Sequence, residues 1–553
     1  MVTSAVSVGT LTEHLRATGY DPLLSPFAER AYATVLTGAA MNPQRVAPGD
    51  LFVAVSGARA HGADFITEVI SRGAAAVLTD AAGVGKIREA IGYQLPVIEV
   101  AAVRDAAGPA AAVIYGTTAS SDPALFGVTG TNGKTTTTYF LRALLSTLLA
   151  PQGRNTGLIG TIEIAAGATP EDSERISSDM TTPEAVQLHA LMHQFREKNV
   201  AAAAMEVSSH AISYRRISGL FYDVAGFTNL TQDHLDLHGT MEEYFAAKAA
   251  LFSRSRTRIS VITVDDTGAE QSWGHRMAAA ATGKVVTLST RPDSVTQAHW
   301  EVREVAPEGL GSAFTLVNRH TGEEVRSSTA LPGDFNVSNA ALAAVMVLEA
   351  AADPHRAQEF TREDVVAALE TKRPFHVQVP GRMQVIAAGT DGAGPAAIVD
   401  FAHNPDAMIR TLQAVRQQHG KLILVIGAAG ERDRSKRPTM GAIAVRMADH
   451  VIISDDDPHG EDPAQIRADL LEGARDAIAR GGLSTVLEEI SPREDAITAA
   501  VAAAGRADTI LLAGRGHESH QDMAGAKHAI DDRVELARAL SARGYPTLQG
   551  DYA

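Results

Sequence analysis

The sequence predicts an α/β protein of three domains. Its 553 residues exceed what one domain usually holds, since domains average about 100–200 residues. Short apolar runs alternate with segments of helical period in three stretches, which is typical of mostly parallel sheets covered by helices. Two polar, proline-containing segments, 116–124 and 372–382, separate these stretches. We therefore expect domains at 1–118, 119–376 and 377–553.

Each domain contributes its own run of elements. In the first, strands at 51–57 and 74–80 flank a helical segment at 65–73, which predicts a small α/β unit. In the second, ALFGVTG is a strand and TTTTYFLRALLSTLLA a helix, while 297–327 alternates like an exposed antiparallel ribbon. In the third, AAIVDF, KLILVIG, VIIS and TILLAG are strands separated by helical periods, which predicts a parallel, Rossmann-like sheet.

Composition narrows the classes of function. The chain carries 49 basic and 65 acidic residues, a net charge of −16, so its surface repels nucleic acid and anionic lipid. It has no cysteine, which excludes disulfides, a thiolate nucleophile and cysteine-ligated metals. No apolar run approaches the roughly 20 residues of a membrane span, and the N-terminus lacks the pattern of a signal peptide. We expect a cytoplasmic protein with small-molecule partners, no nucleic acid and no membrane insertion.

The strongest local signal is VTGTNGKTTTT at 128–138, between a predicted strand and a predicted helix. A glycine-rich turn lets backbone N–H groups approach phosphate, and the helix N-terminus adds its dipole. Lys134 supplies a positive charge, and the Thr135 hydroxyl stands where Mg²⁺ is held. The common spacing has glycine where this chain has Val128, so this is a variant phosphate-binding loop that begins at Gly130. A strand–turn–helix without a ligand is the alternative.

Three further segments carry polar residues that could take part in binding or catalysis. Glu206 ends a predicted strand, where a carboxylate can bind Mg²⁺, although it could also cap the following turn. The segment 229–239 carries His234 and His238, a pattern that fits a surface loop better than a zinc site. Lys248 lies among alanines and aromatics. It is either an amphipathic lysine that reaches solvent or a buried amine that loses its proton readily.

Ten motifs taken together resemble the Mur ligase family. The resemblance runs from about residue 40 to about residue 535 and rests on the order of the motifs. They are TGTNGKTT, TTPE (181–184), MEVSSH (205–210), TNLTQDHLDLHG, the helix with Lys248, LPGDFNVSNA, PGRM (380–383), DFAHNPDAM (400–408), GERDRSKRP (430–438) and GRGHE (514–518).

The resemblance implies an ATP-dependent amide ligase of cytoplasmic peptidoglycan precursor synthesis. In the matching branch of the family, the γ-carboxylate of D-glutamate in UDP-MurNAc-L-Ala-D-Glu is phosphorylated, and a diamino acid attacks the acyl phosphate. ATP and two Mg²⁺ ions are the implied cofactors, and a monomer is the implied state. The first domain would bind the UDP-MurNAc moiety, the central phosphate-loop domain ATP, and the third domain the incoming amino acid.

Matched positions carry the family's site residues over to this chain. Lys134, Glu206, His234 and Lys248 would be catalytic, and Mg²⁺ would be held by Thr135, Glu206, His234 and Lys248 as its carbamate. Nucleotide contacts would come from Gly130, Thr131, Asn132, Gly133, Lys134, Thr135, Thr136, Asn336, Asn339, Arg382, Asp400, His403 and Asn404. The muramoyl dipeptide would contact Thr181, Thr182, Ser208, Arg216, Arg59 and His61. The amino acid would contact Arg432, Asp456, Asp457, His459, Gly514 and Glu518.

Two departures from the family pattern affect substrate binding. The N-terminal domain has Asn42-Pro43-Gln44 where the family usually has Asp-Ser-Arg, so Arg59 and His61 are expected to compensate in the uridine site. The third domain has Asp456-Asp457-Pro458-His459 where enzymes that use meso-diaminopimelate carry Asp-Asn-Pro-Arg. Histidine replaces a bidentate guanidinium poorly, and the added aspartate favours a distal ammonium.

The sequence therefore favours L-lysine, or L-ornithine, as the incoming amino acid, with meso-diaminopimelate as the alternative. More distant alternatives are a related amide ligase, such as folylpolyglutamate synthase or the C-terminal half of cyanophycin synthetase, and a nucleotide-binding ATPase without ligase activity. Lys248 and Glu206 beside a predicted amino-acid loop argue against the ATPase.

Overall fold

The computed structural model describes residues 6–25, 29–57, 60–92, 94–119, 122–178, 180–265, 272–291, 297–354, 359–389, 393–417 and 419–548. These residues form three successive α/β domains, which confirms the predicted fold class. Among the helices described, none is long and apolar enough to cross a bilayer. Arg59, one of the expected substrate contacts, lies outside the described residues.

The first domain is built on a small sheet whose described strands run in the order β2-β7-β6-β5-β4, with β4 to β7 parallel and β2 antiparallel at one edge. Its helices and strands are β1 (Val6–Ser7), α1 (Val8–Ala17), β2 (Leu23–Ser25), α2 (Glu29–Tyr32), β3 (Val35–Leu36), β4 (Gly38–Ala40), β5 (Asp50–Val53), α3 (Ile66–Ser71), β6 (Ala76–Thr79), α4 (Ala81–Ile91), β7 (Val97–Glu99) and α5 (Val103–Tyr115).

The central domain contains the largest sheet. Its elements are β8 (Ala124–Thr129), α6 (Lys134–Leu149), β9 (Asn155–Ile159), β10 (Glu163–Gly167), β11 (Glu174–Ser177), α7 (Ala185–Glu197), β12 (Val200–Glu206), α8 (Ser209–Ser213), β13 (Tyr222–Phe227), α9 (Leu235–His238), α10 (Met241–Ala249), β14 (Thr257–Thr263), α11 (Trp273–Ala280), β15 (Lys284–Ser289), β16 (Trp300–Glu308), β17 (Gly311–Asn318), β18 (Glu324–Thr329), α12 (Asp334–Ala351) and α13 (Arg362–Thr371).

Across the described residues this sheet has the order β11-β10-β9-β12-β8-β13-β14-β15-β16-β17-β18. Seven neighbouring strands of this order are parallel, namely β9, β12, β8, β13, β14, β15 and β16. An antiparallel ribbon extends the sheet at each end, β10–β11 beyond β9 and β17–β18 beyond β16. The ribbon of β16 to β18 confirms the prediction for 297–327, whereas the β10–β11 ribbon was not predicted. Strand β8 is buried along its whole length, which is why its sequence is almost continuously apolar.

The third domain has described strands in the order β19-β20-β24-β21-β22-β23, all parallel except the edge strand β19. A separate β25–β26 hairpin follows β24 and was not predicted. The elements are β19 (Gln384–Ala388), β20 (Ala396–Asp400), α14 (Pro405–Val415), β21 (Leu422–Ile426), α15 (Lys436–Met447), β22 (His450–Ile453), α16 (Pro463–Gly481), β23 (Val486–Glu489), α17 (Arg493–Ala503), β24 (Thr509–Ala513), β25 (His520–Met523), β26 (Ala526–Ala529) and α18 (Asp532–Ala542).

Strand order brings the predicted site together. Strand β8 lies between β12 and β13 in the central sheet, so the loops that follow these three parallel strands leave the same edge. Ligand sites of open α/β sheets gather at this edge. The phosphate-binding loop, Glu206 and the histidine-containing segment 229–239 are therefore neighbours, although Thr131 of the loop and Thr231 of the segment are 100 residues apart in the chain.

A fully buried ion pair joins the last two long helices of the third domain. Arg493 at the start of α17 donates to both carboxylate oxygens of Asp532 on α18, at 2.8 and 2.6 Å. The same guanidinium donates to the carbonyl oxygens of Asp455 and Ala513, at 3.0 and 3.1 Å. Neither side chain is exposed. Because every charge is paired and hydrogen-bonded, the pair is tolerated in the core.

We expect Arg493→Ala to lower the free energy of unfolding by about 3–5 kcal/mol, because it removes both hydrogen bonds to the buried Asp532 carboxylate and leaves it only the longer, 3.8 Å contact with Arg515. Urea unfolding followed by circular dichroism measures the change. Arg480→Ala is the matched control, since Arg480 is 79% exposed and pairs with Asp476 on the helix surface; it should change stability by less than about 0.5 kcal/mol. Equal effects of the two variants would contradict the assigned role of the buried pair.

Candidate active site

The phosphate-binding loop depends on two glycines with positive φ. Gly130 has φ 150° and Gly133 has φ 92°. A Cβ atom on Gly130 would lie 1.9 Å from Thr228 Oγ1, and one on Gly133 would lie 2.4 Å from Asn339 Oδ1. Helix α6 begins directly afterwards at Lys134. The loop therefore places a helix N-terminus, which favours an anion, beside a turn that only glycine can form.

Two lysines converge on this loop, Lys248 buried and Lys134 half-buried. Lys134 Nζ donates to the carbonyl oxygens of Gly130 (3.0 Å) and Thr131 (2.9 Å), and Lys248 Nζ donates to that of Gly130 (2.8 Å). Burial lowers the pKa of both amines; that of Lys248 falls well below its usual value, mainly because of burial and further because of the charge of Lys134. An anion bound beside Lys134 would offset the desolvation of its ammonium group.

Glu206 provides a buried carboxylate beside the loop. Its side chain accepts hydrogen bonds from the Thr135 hydroxyl (2.9 Å), the Thr161 backbone N–H (2.8 Å) and the Thr161 hydroxyl (3.1 Å). These three donors are hydroxyl and backbone N–H groups, so none of the three hydrogen bonds neutralises the charge of the carboxylate. A hydroxyl and a carboxylate held this close are oxygen ligands of the kind Mg²⁺ prefers. The residues present therefore fit a magnesium ion at the phosphate loop.

His234 lies near the lysines, at the start of the short helix α9, with φ 53°. Its ring lies edge-on to His210, with centroids 4.9 Å apart. Burial, together with the charges of Lys134, His210 and Lys248 and against the opposing effect of Asp233, lowers the pKa of His234 to about 4. A neutral imidazole keeps a lone pair available for a metal ion.

Two of the predicted nucleotide contacts, Asn336 and Asn339, form a chain of hydrogen bonds near the start of α12. Asn339 donates to the Asn336 amide oxygen at 3.2 Å, and Asn336 donates to the Pro332 carbonyl oxygen at 2.7 Å. Thr137 of α6 donates to Asn339 Oδ1 at 3.3 Å. Both asparagines are buried and border the same cavity as the phosphate loop. Helix α12 is therefore held against the phosphate loop by side-chain hydrogen bonds.

The third domain touches the phosphate loop directly. Asn132 donates to Asp406 at 3.2 Å, and Asn404 donates to Asn132 Oδ1 at 3.5 Å. The Arg382 guanidinium stacks over the Phe401 ring at 4.2 Å and reaches Thr135 Oγ1 at 3.5 Å. The two domains thus meet around the phosphate end of the cavity.

Asp400 and His403 lie at the end of β20 and in the segment that joins it to α14, next to the residues that contact the phosphate loop. Asp400 is buried and accepts from the backbone N–H groups of Met383 (2.7 Å) and Ala402 (3.0 Å), while burial raises its pKa. His403 Nδ1 lies 2.8 Å from the Phe401 carbonyl oxygen. Burial lowers the pKa of His403. Asp400 therefore joins β19 to β20 in addition to bordering the cavity.

The predicted dipeptide contacts form a second hydrogen-bonded group next to Glu206. Thr182 donates to the Glu206 carbonyl oxygen at 2.9 Å and accepts from the Ser208 backbone N–H at 3.1 Å. Arg216 donates to the Thr182 carbonyl oxygen at 3.2 Å and pairs with Glu184 at 3.0 Å. The hydroxyl oxygens of Thr161 and Thr181 lie 3.0 Å apart, so this group is continuous with the carboxylate site.

His61 has a role in the fold of the first domain. It precedes a 3₁₀ turn (Gly62–Phe65) and its Nδ1 accepts from the Ala63 N–H at 3.0 Å, while Nε2 lies 3.1 Å from Asp80. Both ring nitrogens are thus occupied, and His61 does not border the large cavity. Its expected contact with the uridine moiety stays a prediction.

An acidic group marks the amino-acid end. Carboxylate oxygens of Asp456, Asp457 and Glu518 lie within 4.8 Å of one another. The fully buried Arg515 donates to Asp457 at 2.9 Å. Burial, together with the charges of Asp456 and Asp457 and against that of Arg515, raises the pKa of Glu518 to about 8. A Cβ atom on Gly514 would lie 2.6 Å from Asp456 Oδ2, so glycine is required there.

A cavity of about 1050 Å³ joins these groups. Of the sequence-predicted residues, the cavity is bordered by Thr131, Asn132, Gly133, Lys134, Thr135, Thr136, Thr181, Glu206, His234, Asn336, Asn339, Arg382, Asp400, His403, Arg432, Asp456, Asp457, His459, Gly514 and Glu518. Six other predicted residues do not border the cavity but take part in the hydrogen bonds described above: Gly130, Lys248, Thr182, Ser208, Arg216 and Asn404.

Sequence reasoning missed several residues of the site. Thr161 donates twice to Glu206, Asp406 accepts from Asn132, and Arg515 holds Asp457. Arg515 lies inside the GRGHE motif and could have been found there. Thr161 follows an ordinary strand and has no signal of its own, because its role depends on the pairing of β9 with β12.

The fold and the cavity define the class of protein. A phosphate-binding loop, an adjacent carboxylate and hydroxyl, and a third α/β domain that completes the cavity describe a nucleotide-binding enzyme whose site is shared by two domains.

Comparison with known proteins identifies the family. The model of the Mur ligase family catalytic domain matches residues 36–115, that of the Mur ligase middle domain 128–347, and that of the Mur ligase glutamate ligase domain 381–516. The chain belongs to the Mur ligase family, as its motifs indicated, and is a ligase.

Individual relatives cover nearly the whole chain. The UDP-N-acetylmuramoyl-L-alanyl-D-glutamate–2,6-diaminopimelate ligase of Streptomyces coelicolor is 42% identical over 509 residues, which are 91% of this chain and 92% of the relative. The UDP-N-acetylmuramyl-tripeptide synthetase of Leifsonia xyli is 41% identical over 511 residues, 92% of each chain. The expected preference for L-lysine is not confirmed by these names, since the first specifies 2,6-diaminopimelate and the second no amino acid.

Solved structures agree in fold. A UDP-N-acetylmuramoyl-L-alanyl-D-glutamate–2,6-diaminopimelate ligase is 28% identical with a TM-score of 0.60, and the match covers 98% of this chain and all of that one. MurF ligase from Thermotoga maritima in complex with ADP is 18% identical with a TM-score of 0.60, covering 92% and 98%. The second likeness shows the three-domain fold alone.

We expect Gly133→Ala to raise the dissociation constant for ATP at least about 100-fold, because the added Cβ collides with Asn339 and displaces the phosphate loop. Isothermal titration calorimetry with ATP and Mg²⁺ measures the change. Gly153→Ala is the control, since Gly153 also has a positive φ, 70°, but a Cβ there meets nothing within 4 Å. Unchanged ATP affinity in Gly133→Ala would show that the loop does not bind the phosphates.

Proposed function

We propose that this chain joins a diamino acid to the γ-carboxylate of D-glutamate in UDP-MurNAc-L-Ala-D-Glu, with hydrolysis of ATP to ADP and phosphate, in cytoplasmic peptidoglycan precursor synthesis. One observation carries the proposal: a single cavity joins the phosphate loop of the central domain to the acidic pocket of the third. Residues 1–118 would bind the UDP-MurNAc moiety, 119–376 ATP and 377–553 the amino acid.

The part of the cavity around the phosphate loop would be organised by Lys134, Lys248 and Glu206. Lys134 leaves its two carbonyl partners and binds the transferring phosphoryl group, which restores a counter-charge to its desolvated ammonium. Thr135, Glu206 and His234 would hold Mg²⁺, which neutralises phosphate charge as it moves to the carboxylate. Arg382, from the third domain, approaches the same Thr135 hydroxyl and adds a further cation.

Lys248 would act as a carbamate. Its buried amine has a strongly lowered pKa, so a neutral, nucleophilic form is available to add CO₂. In that step the nitrogen lone pair forms the N–C bond and one proton leaves to solvent. The product would place a carboxylate beside Lys134 where a neutral amine stood, which would give the Lys134 ammonium a counter-charge and supply oxygen ligands for a second Mg²⁺.

The amino-acid end favours a side chain that ends in an ammonium group. The carboxyl groups of Asp456, Asp457 and Glu518 lie within 4.8 Å of one another, and an ammonium group among them would offset the repulsion that helps to raise the pKa of Glu518. Arg515 is already bound to Asp457 and to the carbonyl oxygen of His520. Arg432 borders the cavity and would pair with the α-carboxylate. This arrangement supports L-lysine or L-ornithine as the amino acid.

A second candidate substrate is 2,6-diaminopimelate. It is the amino acid in the name of the Streptomyces relative, which is 42% identical. Its distal centre also carries an ammonium group, which would meet the same carboxylates. The additional distal carboxylate would require a partner, and His459, at the matching position, and Lys436 both border the cavity.

The purified chain should release phosphate from ATP and Mg²⁺ only when both UDP-MurNAc-L-Ala-D-Glu and an amine are present. We expect kcat/KM for L-lysine or L-ornithine to exceed that for meso-diaminopimelate, with the tripeptide product confirmed by mass spectrometry. Lys134→Ala should lower kcat by about 10²–10³-fold, because one stabilising cation is removed from the transition state. Preference for meso-diaminopimelate would select the second candidate. Phosphate release without an amine would contradict the ligase proposal.

Lys248→Arg tests the carbamate separately, because it keeps the positive charge but cannot add CO₂ in the same way. We expect at least about a 100-fold loss of kcat and loss of a carbamate ¹³C resonance that the native protein shows in ¹³C-bicarbonate. Lys284→Arg is the control, since Lys284 is on the surface and pairs with Glu349. An unchanged resonance or unchanged turnover in Lys248→Arg would contradict the assignment.

A further inference from the structure

A second cavity lies between the first and the central domain. Its volume of about 470 Å³ falls within the range of small-molecule sites, about 300–1,000 Å³. One side is lined by Tyr20, Asp105 and Pro109 of the first domain, and the other by Arg215, Phe221 and Arg256 of the central domain. Both domains therefore contribute side chains to this space.

This cavity is separate from the candidate active site. Phe221 directly precedes β13 and Arg256 directly precedes β14, so the cavity lies at the edge of the central sheet where these strands begin. The phosphate loop follows the end of β8, at the opposite edge, and a strand of six residues such as β13 spans roughly 20 Å. Across the described residues, the two cavities have no lining residue in common. A ligand in the second cavity would therefore leave the nucleotide site free.

Arg256 brings a cation without a counter-ion to this cavity. Its side chain is half-buried, and within the described part of the chain its guanidinium has neither an ion-pair partner nor a hydrogen-bond acceptor. Burial, together with the charge of Arg215 and against the effects of Tyr222 and Asp105, lowers the pKa of Arg256. A bound anion would stabilise a guanidinium in these surroundings.

Arg215 adds a second guanidinium group. Its Nε pairs with Asp105 Oδ1 at 3.2 Å, and its two terminal nitrogens have no acceptor among the residues that the structure describes. Asp105 is the one carboxylate among the described residues that line the cavity. Two guanidinium groups therefore stand against one carboxylate, and the cavity carries a net positive charge.

The neutral side chains limit the kind of anion that fits. Burial, together with the charge of Asp105 and against that of Arg215, raises the pKa of Tyr20, so its hydroxyl keeps its proton and can donate a hydrogen bond. Two guanidinium groups and a hydroxyl donor match the acceptor oxygens of a phosphate group. Pro109 and Phe221 supply apolar surface, which suits an organic part of the same ligand.

Close packing between the domains fixes the walls of the cavity. A Cβ atom on Gly108 of α5 would lie 2.1 Å from the Ser218 carbonyl oxygen, so α5 lies directly against the loop that carries Arg215. His189 Nε2 of α7 donates to the same carbonyl oxygen at 2.9 Å. Because the loop is held between two helices, the cavity is formed before a ligand binds.

We propose that this cavity is a binding site for a phosphate monoester of a small organic molecule. The phosphate group binds Arg256 and the terminal nitrogens of Arg215, the Tyr20 hydroxyl donates to it, and the organic part contacts Pro109 and Phe221. Because these residues belong to two domains, the bound ligand stabilises the contact between the first and the central domain. The inference is independent of the proposed ligase function and uses no residue assigned to it.

Isothermal titration calorimetry of the full-length chain with phenyl phosphate tests the proposal. ADP, Mg²⁺ and UDP-MurNAc-L-Ala-D-Glu are present at saturating concentrations, so that the candidate active site is occupied. We expect one site per chain, with a dissociation constant at least about tenfold below that for inorganic phosphate, because the phenyl ring packs against Phe221 and Pro109.

Arg256→Met and Arg254→Met are the matched pair of variants. The first removes the unpaired guanidinium and should raise the dissociation constant for phenyl phosphate at least about tenfold. Arg254 is exposed on the same loop and does not line the cavity. Its replacement removes the same charge from the protein and should change the dissociation constant less than about twofold.

Thermal unfolding separates binding from folding. Without ligand, Arg256→Met should unfold at or above the Tm of the wild-type chain, because it removes a partly buried charge that has no partner. Phenyl phosphate should raise the Tm of the wild-type chain and of Arg254→Met but not that of Arg256→Met. Tyr20→Phe removes only a hydroxyl and should raise the dissociation constant about three- to tenfold.

Three results would overturn the proposal. Binding of phenyl phosphate that disappears when the active site is occupied would place the ligand there. Equal weakening by Arg254→Met and Arg256→Met would reduce the effect to general surface charge. Equal affinities for phenyl phosphate and inorganic phosphate would exclude an organic part of the ligand.

Discussion

Lys134 and Lys248 share one carbonyl oxygen, that of Gly130, and much of the site follows from this arrangement. Desolvation lowers the pKa of both amines, and the charge of Lys134 lowers that of Lys248 further. The site is therefore arranged to receive anions: triphosphate at Lys134 and, in the proposed function, a carbamate in place of the Lys248 amine. The fold supplies the opposing stability, since α6, which begins at Lys134, packs against β8, β9 and β12, and Tyr244 of the helix with Lys248 lies in an apolar core with Phe227 of β13.

The parallel sheet turns distant segments into neighbours. Strands β9, β12, β8 and β13 lie side by side, so Thr161, Glu206, the phosphate loop and the segment with His234 are collected at one edge. The third domain then completes the cavity through Asn404, Asp406 and Arg382. In the proposed function, binding of ATP and of the amino acid would be coupled, because the residues expected to bind them line one cavity and the two domains meet at the phosphate loop.

Charge distinguishes the two ends of the cavity. The phosphate end concentrates lysines and an arginine, whereas the opposite end concentrates Asp456, Asp457 and Glu518. Burial, together with the charges of Asp456 and Asp457, raises the pKa of Glu518 to about 8. This separation suits the anionic nucleotide and the amine nucleophile of the proposed reaction. The β25–β26 hairpin is joined to the acidic group by the Asp522 N–H, which donates to Asp457 at 3.0 Å.

The sequence by itself determined the three-domain α/β fold, the phosphate loop and the family, because apolar period, glycine spacing and motif order are local properties that read directly from the chain. It also indicated Glu206, His234 and Lys248. Only the tertiary structure decided that Lys134 and Lys248 share the Gly130 carbonyl, that Thr161 donates to Glu206, that both nitrogens of His61 are occupied within its own domain, and that Asp522 contacts His459. These facts depend on strand order and on the packing of one domain against another, which join residues with no local pattern in common.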